Sequence, residues 1–103
     1  MDIKIEAPGH PNQDQLHEYY TSVLNKKYKG YDFVKAIDVK VVKERNEFEV
    51  SLQLKPEKGT MLFAKDINEN EKSALSAAIK KMNSQIEKYK QLHYHSAQRR
   101  NRD

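Results

Sequence analysis

The chain reads as an α+β fold of order β-α-β-β-β-α, one four-stranded sheet with two helices packed on one face. Three observations lead there. In four short segments apolar residues alternate with polar ones, the pattern of half-buried strands. In two longer segments they recur at three- and four-residue steps, the pattern of amphipathic helices. Every strand also keeps one polar side, so a single layer of helices is enough to cover the sheet.

Met1 to Ala7 alternates, with Ile3 and Ile5 on one side and Asp2, Lys4 and Glu6 on the other. Pro8-Gly9-His10-Pro11 breaks this first strand. Asn12 offers a side-chain oxygen to cap the helix that follows, with Gln15 three residues on completing a capping box. Leu16, Tyr19, Tyr20, Val23 and Leu24 then place an apolar stripe on a helix over residues 12–29, which Gly30 ends. From Phe33 the period changes to two, and Phe33, Ile37, Val39 and Val41 define a strand running to about Lys43. Arg45-Asn46 is a turn. Phe48, Val50, Leu52 and Leu54 alternate with Glu47, Glu49, Ser51, Gln53 and Lys55 in the clearest strand of the chain. Pro56-Glu57-Lys58-Gly59 turns the chain into a last strand, Met61 to Ile67. Asn68 or Asn70 caps the final helix, with Glu69 and Glu71 suited to its positive end. Leu75, Ala78, Ile79, Met82, Ile86 and Tyr89 fall within an arc of about 100°, with Lys80, Lys81, Ser84, Lys88 and Gln91 on the far side. This helix extends to about His93 or His95. A helical crossover joins the first two strands, which predicts a parallel pair with a right-handed connection.

A chain of 103 residues has room for one domain, expected over residues 1–95, with 96–103 a basic, disordered tail. There is no Cys, which excludes disulfides, thiolate metal sites and cysteine nucleophiles. The longest apolar runs are about four residues against the ~18 of a membrane span, and the start Met1-Asp2 does not resemble a signal peptide. A cytoplasmic protein with no membrane partner is expected. Catalysis finds no support. Gly9, Gly30 and Gly59 all fall at turns and form no phosphate loop, and no serine or histidine sits in a nucleophile elbow or triad. His93 and His95 would point about 200° apart on a helix and could not chelate together. No cofactor, metal or small-molecule substrate is expected.

The charge carries more information. The formal net charge is +4, and residues 69–103 alone hold eight basic against four acidic residues. A basic stripe of this kind attracts a polyanion, although a solvated helix face would show the same composition. Ser22, Asn25 and Lys29 share the polar side of the first helix, with Lys26 at its border and Lys27 on the apolar side near its end. On the second helix Lys81 and Lys88 stand two turns apart with Ser84 between them and Lys80 on the adjoining flank. Two helices on one sheet face can present these as a single groove or ridge that fits the phosphate backbone of structured RNA. Tyr19, Tyr20 and Tyr89 are expected in the core. Tyr28, Tyr31 and Tyr94, near lysines or the basic tail, are better placed to meet a base. A general double-stranded RNA-binding module, or a domain that docks another protein, is compatible with the same features.

The chain also resembles the ribosome hibernation factors, comprising the hibernation promoting factors and the ribosome-associated translation inhibitors, in their short form. Leu16-His17-Glu18-Tyr19 with Lys26 resembles the family's first helix. Leu62 to Lys65 running on to Ala74, then Ala78-Ile79-Lys80-Lys81 and Gln85-Ile86-Glu87-Lys88-Tyr89-Lys90, resembles its last strand and helix. The similarity spans roughly residues 1–92. It departs at Asn70-Glu71-Lys72, where the family often has Asp-Met-Tyr, and at Pro11-Asn12-Gln13 before the first helix. The resemblance implies binding to the small ribosomal subunit in the channel for transfer and messenger RNA, with inhibition by steric occlusion and a monomer away from the ribosome. It assigns ribosomal RNA contacts to Lys26, Lys29, Lys80, Lys81, Lys88 and Lys90, with Lys27, Tyr28, Arg99 and Arg100 as further candidates.

Overall fold

The computed structural model describes residues 1–93; the tail expected at 96–103, with Arg99 and Arg100, lies outside them, as do Tyr94 and His95. The elements are β1 (Asp2–Glu6), α1 (Gln13–Tyr28), β2 (Val34–Glu44), β3 (Glu47–Pro56), β4 (Leu62–Asn68) and α2 (Glu71–His93). Their order is the expected one, with boundaries moved by one or two residues. The strands lie in the sheet in chain order. β1 and β2 pair in parallel, with Ile3 opposite Ile37 and Ile5 opposite Val39. β2, β3 and β4 form antiparallel ladders, with Val39 opposite Leu52 and Leu52 opposite Ala64.

Alternation sends Ile37, Val39 and Val41 of β2 and Val50, Leu52 and Leu54 of β3 to the helix side, the last three fully buried. They join Leu16, Tyr20, Leu24 and Tyr28 of α1 and Ala74, Leu75, Ala78, Ile79, Met82, Ile86 and Tyr89 of α2 in one core. The four buried residues of α1 are spaced exclusively at i, i+4, which turns one narrow stripe inward. Two expectations fall with that stripe. Tyr19 stands about 100° from Tyr20 on the helix and is 39% exposed, so it is not a core residue. Tyr28 continues the stripe and is only 1% exposed. It therefore cannot offer its ring to a base. Lys27, expected on the apolar side near the helix end, is exposed.

A register shift between Val34 and Ala36 interrupts the alternation of β2. It lets Val34 and Ile37, three residues apart in β2, both be buried, which strict alternation forbids.

The helix starts differ. Asn70 caps α2 as expected, its Oδ1 accepting the Ser73 N–H at 3.0 Å. Asn12 makes no side-chain cap bond. Instead the Asn12 N–H donates to His10 Nδ1 at 3.1 Å, so the imidazole takes the place expected for Gln15. With Nδ1 accepting, the proton sits on Nε2, which meets Glu71 Oε1 at 3.0 Å. The Tyr20 hydroxyl donates to the other oxygen of Glu71 at 2.9 Å. One carboxylate thus ties the start of α1 to the start of α2.

The opposite ends are tied as well. Tyr31, just after α1, lies under the Lys90 ammonium at 5.6 Å and beside Phe33, which packs on Tyr89 with ring centres 4.8 Å apart. Tyr89 donates to the Lys58 carbonyl at 2.8 Å. Gly59 has φ +88°, which favours glycine, and a Cβ there would lie 2.8 Å from His93 Nε2, so a larger residue would also have to displace the His93 ring. Start meets start and end meets end: the helices run side by side in the same direction.

Candidate nucleic-acid interface

The side chains that can meet an anion are set by angles around the two helices. At about 100° per residue, Lys81 and Lys88 differ by seven residues and fall in one column roughly 10 Å apart. That column flanks β4: Lys81 Nζ donates to the Lys65 carbonyl at 3.1 Å and lies 3.7 Å from the Asp66 carboxylate. Lys80 stands about 100° away, on the crest of α2 opposite the core. Lys90 lies about half a turn from Lys81, facing α1, where it packs over Tyr31 and pairs with Glu87 at 3.4 Å. Lys72, five turns before Lys90, faces the same seam, its ammonium 5.1 Å from the Tyr19 ring centre. Lys26 and Lys27 sit in the last turn of α1, and Lys29 caps it.

The expected single ridge is therefore a cover. The lysines spread over the whole exposed arc of α2 and gather with Lys26, Lys27 and Lys29 at the end where Tyr31 meets Lys90. Among the described residues, Lys26, Lys27, Lys29, Lys80 and Lys88 have neither an ion pair nor a hydrogen bond within the chain. Lys90 is held by its packing over Tyr31 and by an exposed pair with Glu87, of a kind worth about 0.2–1 kcal/mol, which a phosphate can replace. Lys81 is the exception. Its side chain is 57% exposed, yet it covers a strand-edge carbonyl and neutralises Asp66.

The open face of the sheet has a different character. Lys4, Lys40, Lys55 and Lys65 are interleaved with Asp2, Glu6, Asp38, Glu47 and Glu49, and Lys55 pairs with Asp38 at 3.2 Å. It shows no basic excess.

Sequence reasoning missed the mouth of the seam. Where the two helices begin, His10, Asn12, Gln15, Leu16, Tyr19, Tyr20, Glu71 and Lys72 line a cleft of about 310 Å³. The signal was present: the unbroken four-residue ladder Leu16, Tyr20, Leu24, Tyr28 leaves Tyr19 outside. Among the described residues no three metal-ligating side chains converge, and no helix is long and apolar enough to cross a membrane.

A family model described as sigma 54 modulation protein / S30EA ribosomal protein matches residues 3–93. A solved ribosomal subunit interface protein from Coxiella burnetii is similar over 87% of this chain and 98% of its own, with 19% identity and a TM-score of 0.77. The N-terminal domain of Protein Y from Thermus thermophilus is similar over 86% of this chain and 99% of its own, with 14% identity and a TM-score of 0.74. At these identities the likeness is one of fold. No curated protein matches the chain.

Proposed function

The chain belongs to the sigma 54 modulation protein / S30EA ribosomal protein family, and from that premise we propose that it is a ribosome-binding factor that restrains translation. Its helix layer lies on ribosomal RNA of the small subunit, in the channel used by transfer and messenger RNA, and the bound domain blocks that channel by its bulk. No bond is made or broken in this mode of action. The carrying observation is the bias of charge. On the helix layer Lys26, Lys27, Lys29, Lys72, Lys80, Lys81, Lys88 and Lys90 outnumber Asp14, Glu18, Glu71 and Glu87. Five of these lysines have no ion pair or hydrogen bond among the described residues, while the sheet face mixes both signs with no basic excess. An A-form backbone presents phosphates in two dimensions, and a basic cover matches that better than a single line of charge.

Lys26, Lys29, Lys80 and Lys88 are the first contacts in this reading, with Lys27 and Lys90 beside them. Lys81 contributes charge but also holds β4, so its reversal would confound binding with folding. The cleaner variant is Lys80→Glu with Lys88→Glu. Neither side chain has a partner to lose, so the thermal melt stays in place. If about six phosphates are neutralised, the affinity of the wild type for small subunits falls about a thousandfold between 50 and 200 mM salt. In the double variant binding weakens at every salt concentration, and the slope of log affinity against log salt drops by about two. Sedimentation through sucrose at low salt reads this directly, with a short RNA duplex as competitor. Protein that stays at the top of the gradient would refute the reading. Equal affinity for the plain duplex would make this a general double-stranded RNA module instead.

A further inference from the structure

We propose that the cleft between the two helix starts is a pocket for one unstacked RNA base, with Tyr19 as its stacking platform. This rests on the ribosome-binding reading and adds a contact of a different chemistry to the lysine cover. Four observations lead to it. The Tyr19 ring is 39% exposed although it belongs to the most apolar stretch of α1. It is held edge-on against Tyr20, with centres 5.9 Å apart and planes at 73°, and Tyr20 is itself fixed by Glu71. A ring buttressed in this way keeps its orientation before any ligand arrives, so little freedom is lost on stacking. Its π face is already occupied by a cation, the Lys72 ammonium at 5.1 Å. That ammonium is free to move to a phosphate when a base takes its place. Finally, at about 310 Å³ the cleft is at the small end of ligand pockets, large enough for one planar base and too small for a run of nucleotides.

The walls suit such a guest. Leu16, Tyr19 and Tyr20 give an apolar floor, and Asn12 and Gln15 place amide groups at the rim, able to donate to or accept from a base edge. Lys72, at the edge of the cleft, attracts the backbone to which the base is attached. Tyr31, at the other end of the seam, is packed against Tyr28 and Phe33 and leaves less of its ring open. A flipped-out base stacked on an aromatic ring is the usual way in which a protein selects a place on structured RNA.

The experiment compares Tyr19→Leu and Tyr19→Phe with the wild type in equilibrium binding to purified small ribosomal subunits across a salt series. Stacking on one aromatic ring is worth enough that its loss costs about five- to a hundredfold in affinity. Tyr19→Leu should weaken binding by that factor with an unchanged salt slope, because no charge is removed. Tyr19→Phe should stay within about twofold of the wild type. With wild type and Tyr19→Phe, one unpaired base of the RNA should change its reactivity to a base-modifying reagent, and with Tyr19→Leu it should not. Full affinity of Tyr19→Leu, alongside a Lys80→Glu/Lys88→Glu variant that has lost binding, would overturn the pocket and leave the ribosome-binding reading intact. So would equal weakening by Leu and Phe, or a change in salt slope with Leu. Failure of the wild type to bind subunits at all would remove both. Tyr19→Phe should melt as the wild type does, and Tyr19→Leu, which gives up the edge contact with Tyr20, should melt only slightly lower and remain folded throughout the binding series.

Discussion

At Tyr28 the ring is buried and the hydroxyl has no hydrogen-bond partner among the described residues. An unsatisfied buried hydroxyl costs about 1–3 kcal/mol, so Tyr28→Phe should leave stability unchanged or raise it by up to about 1 kcal/mol in a denaturant titration. The same hydroxyl makes the fold sensitive to base. Burial, with a smaller contribution from Tyr31, pushes its pKa up to about 12 from the ordinary 10. The unfolded chain therefore releases this proton first. Stability is intact below pH 10 and is lost as pH rises from 10 to 12, by about 2–3 kcal/mol for two pH units. Burial and then the Glu71 carboxylate raise Tyr20 in the same direction, so the wild type loses stability through both rings and Tyr28→Phe through one. Melts at pH 9 and pH 11.5 should show the smaller drop in the variant. Equal drops would mean that Tyr28 titrates normally. The misplacement of Tyr19 and Tyr28 in the sequence reading has one source. Neighbouring tyrosines look alike in composition, and three lysines around Tyr28 suggest a surface, but a strict four-residue ladder decides which ring turns in.

The elements themselves were legible because each has an unambiguous period, as in β3, where every second residue from Val50 to Leu54 is fully buried. What could not be read is how elements finish one another. Glu71 holding His10 and Tyr20, and Gly59 fitting under His93, are contacts between segments far apart in the chain. The outer edge of β4 shows the same limit. The Gln85 side chain accepts the Phe63 N–H at 3.0 Å and donates to the Phe63 carbonyl, as another strand would. Lys81 covers the Lys65 carbonyl two residues on. A helix thus seals an edge that would otherwise template a further strand. Gln85→Ala should expose the Phe63 amide. Its hydrogen exchange would then speed up by an order of magnitude, for a loss of about 0.5–1.5 kcal/mol in stability. Unchanged exchange at Phe63 in the variant would show that Gln85 does not guard the edge. On the candidate interface the residue types and the helix were readable, but the partition of lysines was not. A wheel places Lys81 beside Lys88, and only the fold shows that Lys81 is already engaged with β4.

For the molecule as a whole, lysine on one layer and mixed charge on the other amount to a permanent electric dipole across its thickness. In the field of a polyanion such a body experiences a torque as well as an attraction, and turns its helices forward before it touches. Most of its early encounters are therefore in a productive orientation, and the rate of arrival should carry much of the dependence on ions. In stopped-flow measurements on small subunits, raising salt from 50 to 200 mM should slow association at least tenfold. Glutamate at positions 80 and 88 should remove part of that sensitivity. An association rate indifferent to salt would mean that the molecule arrives without being aimed.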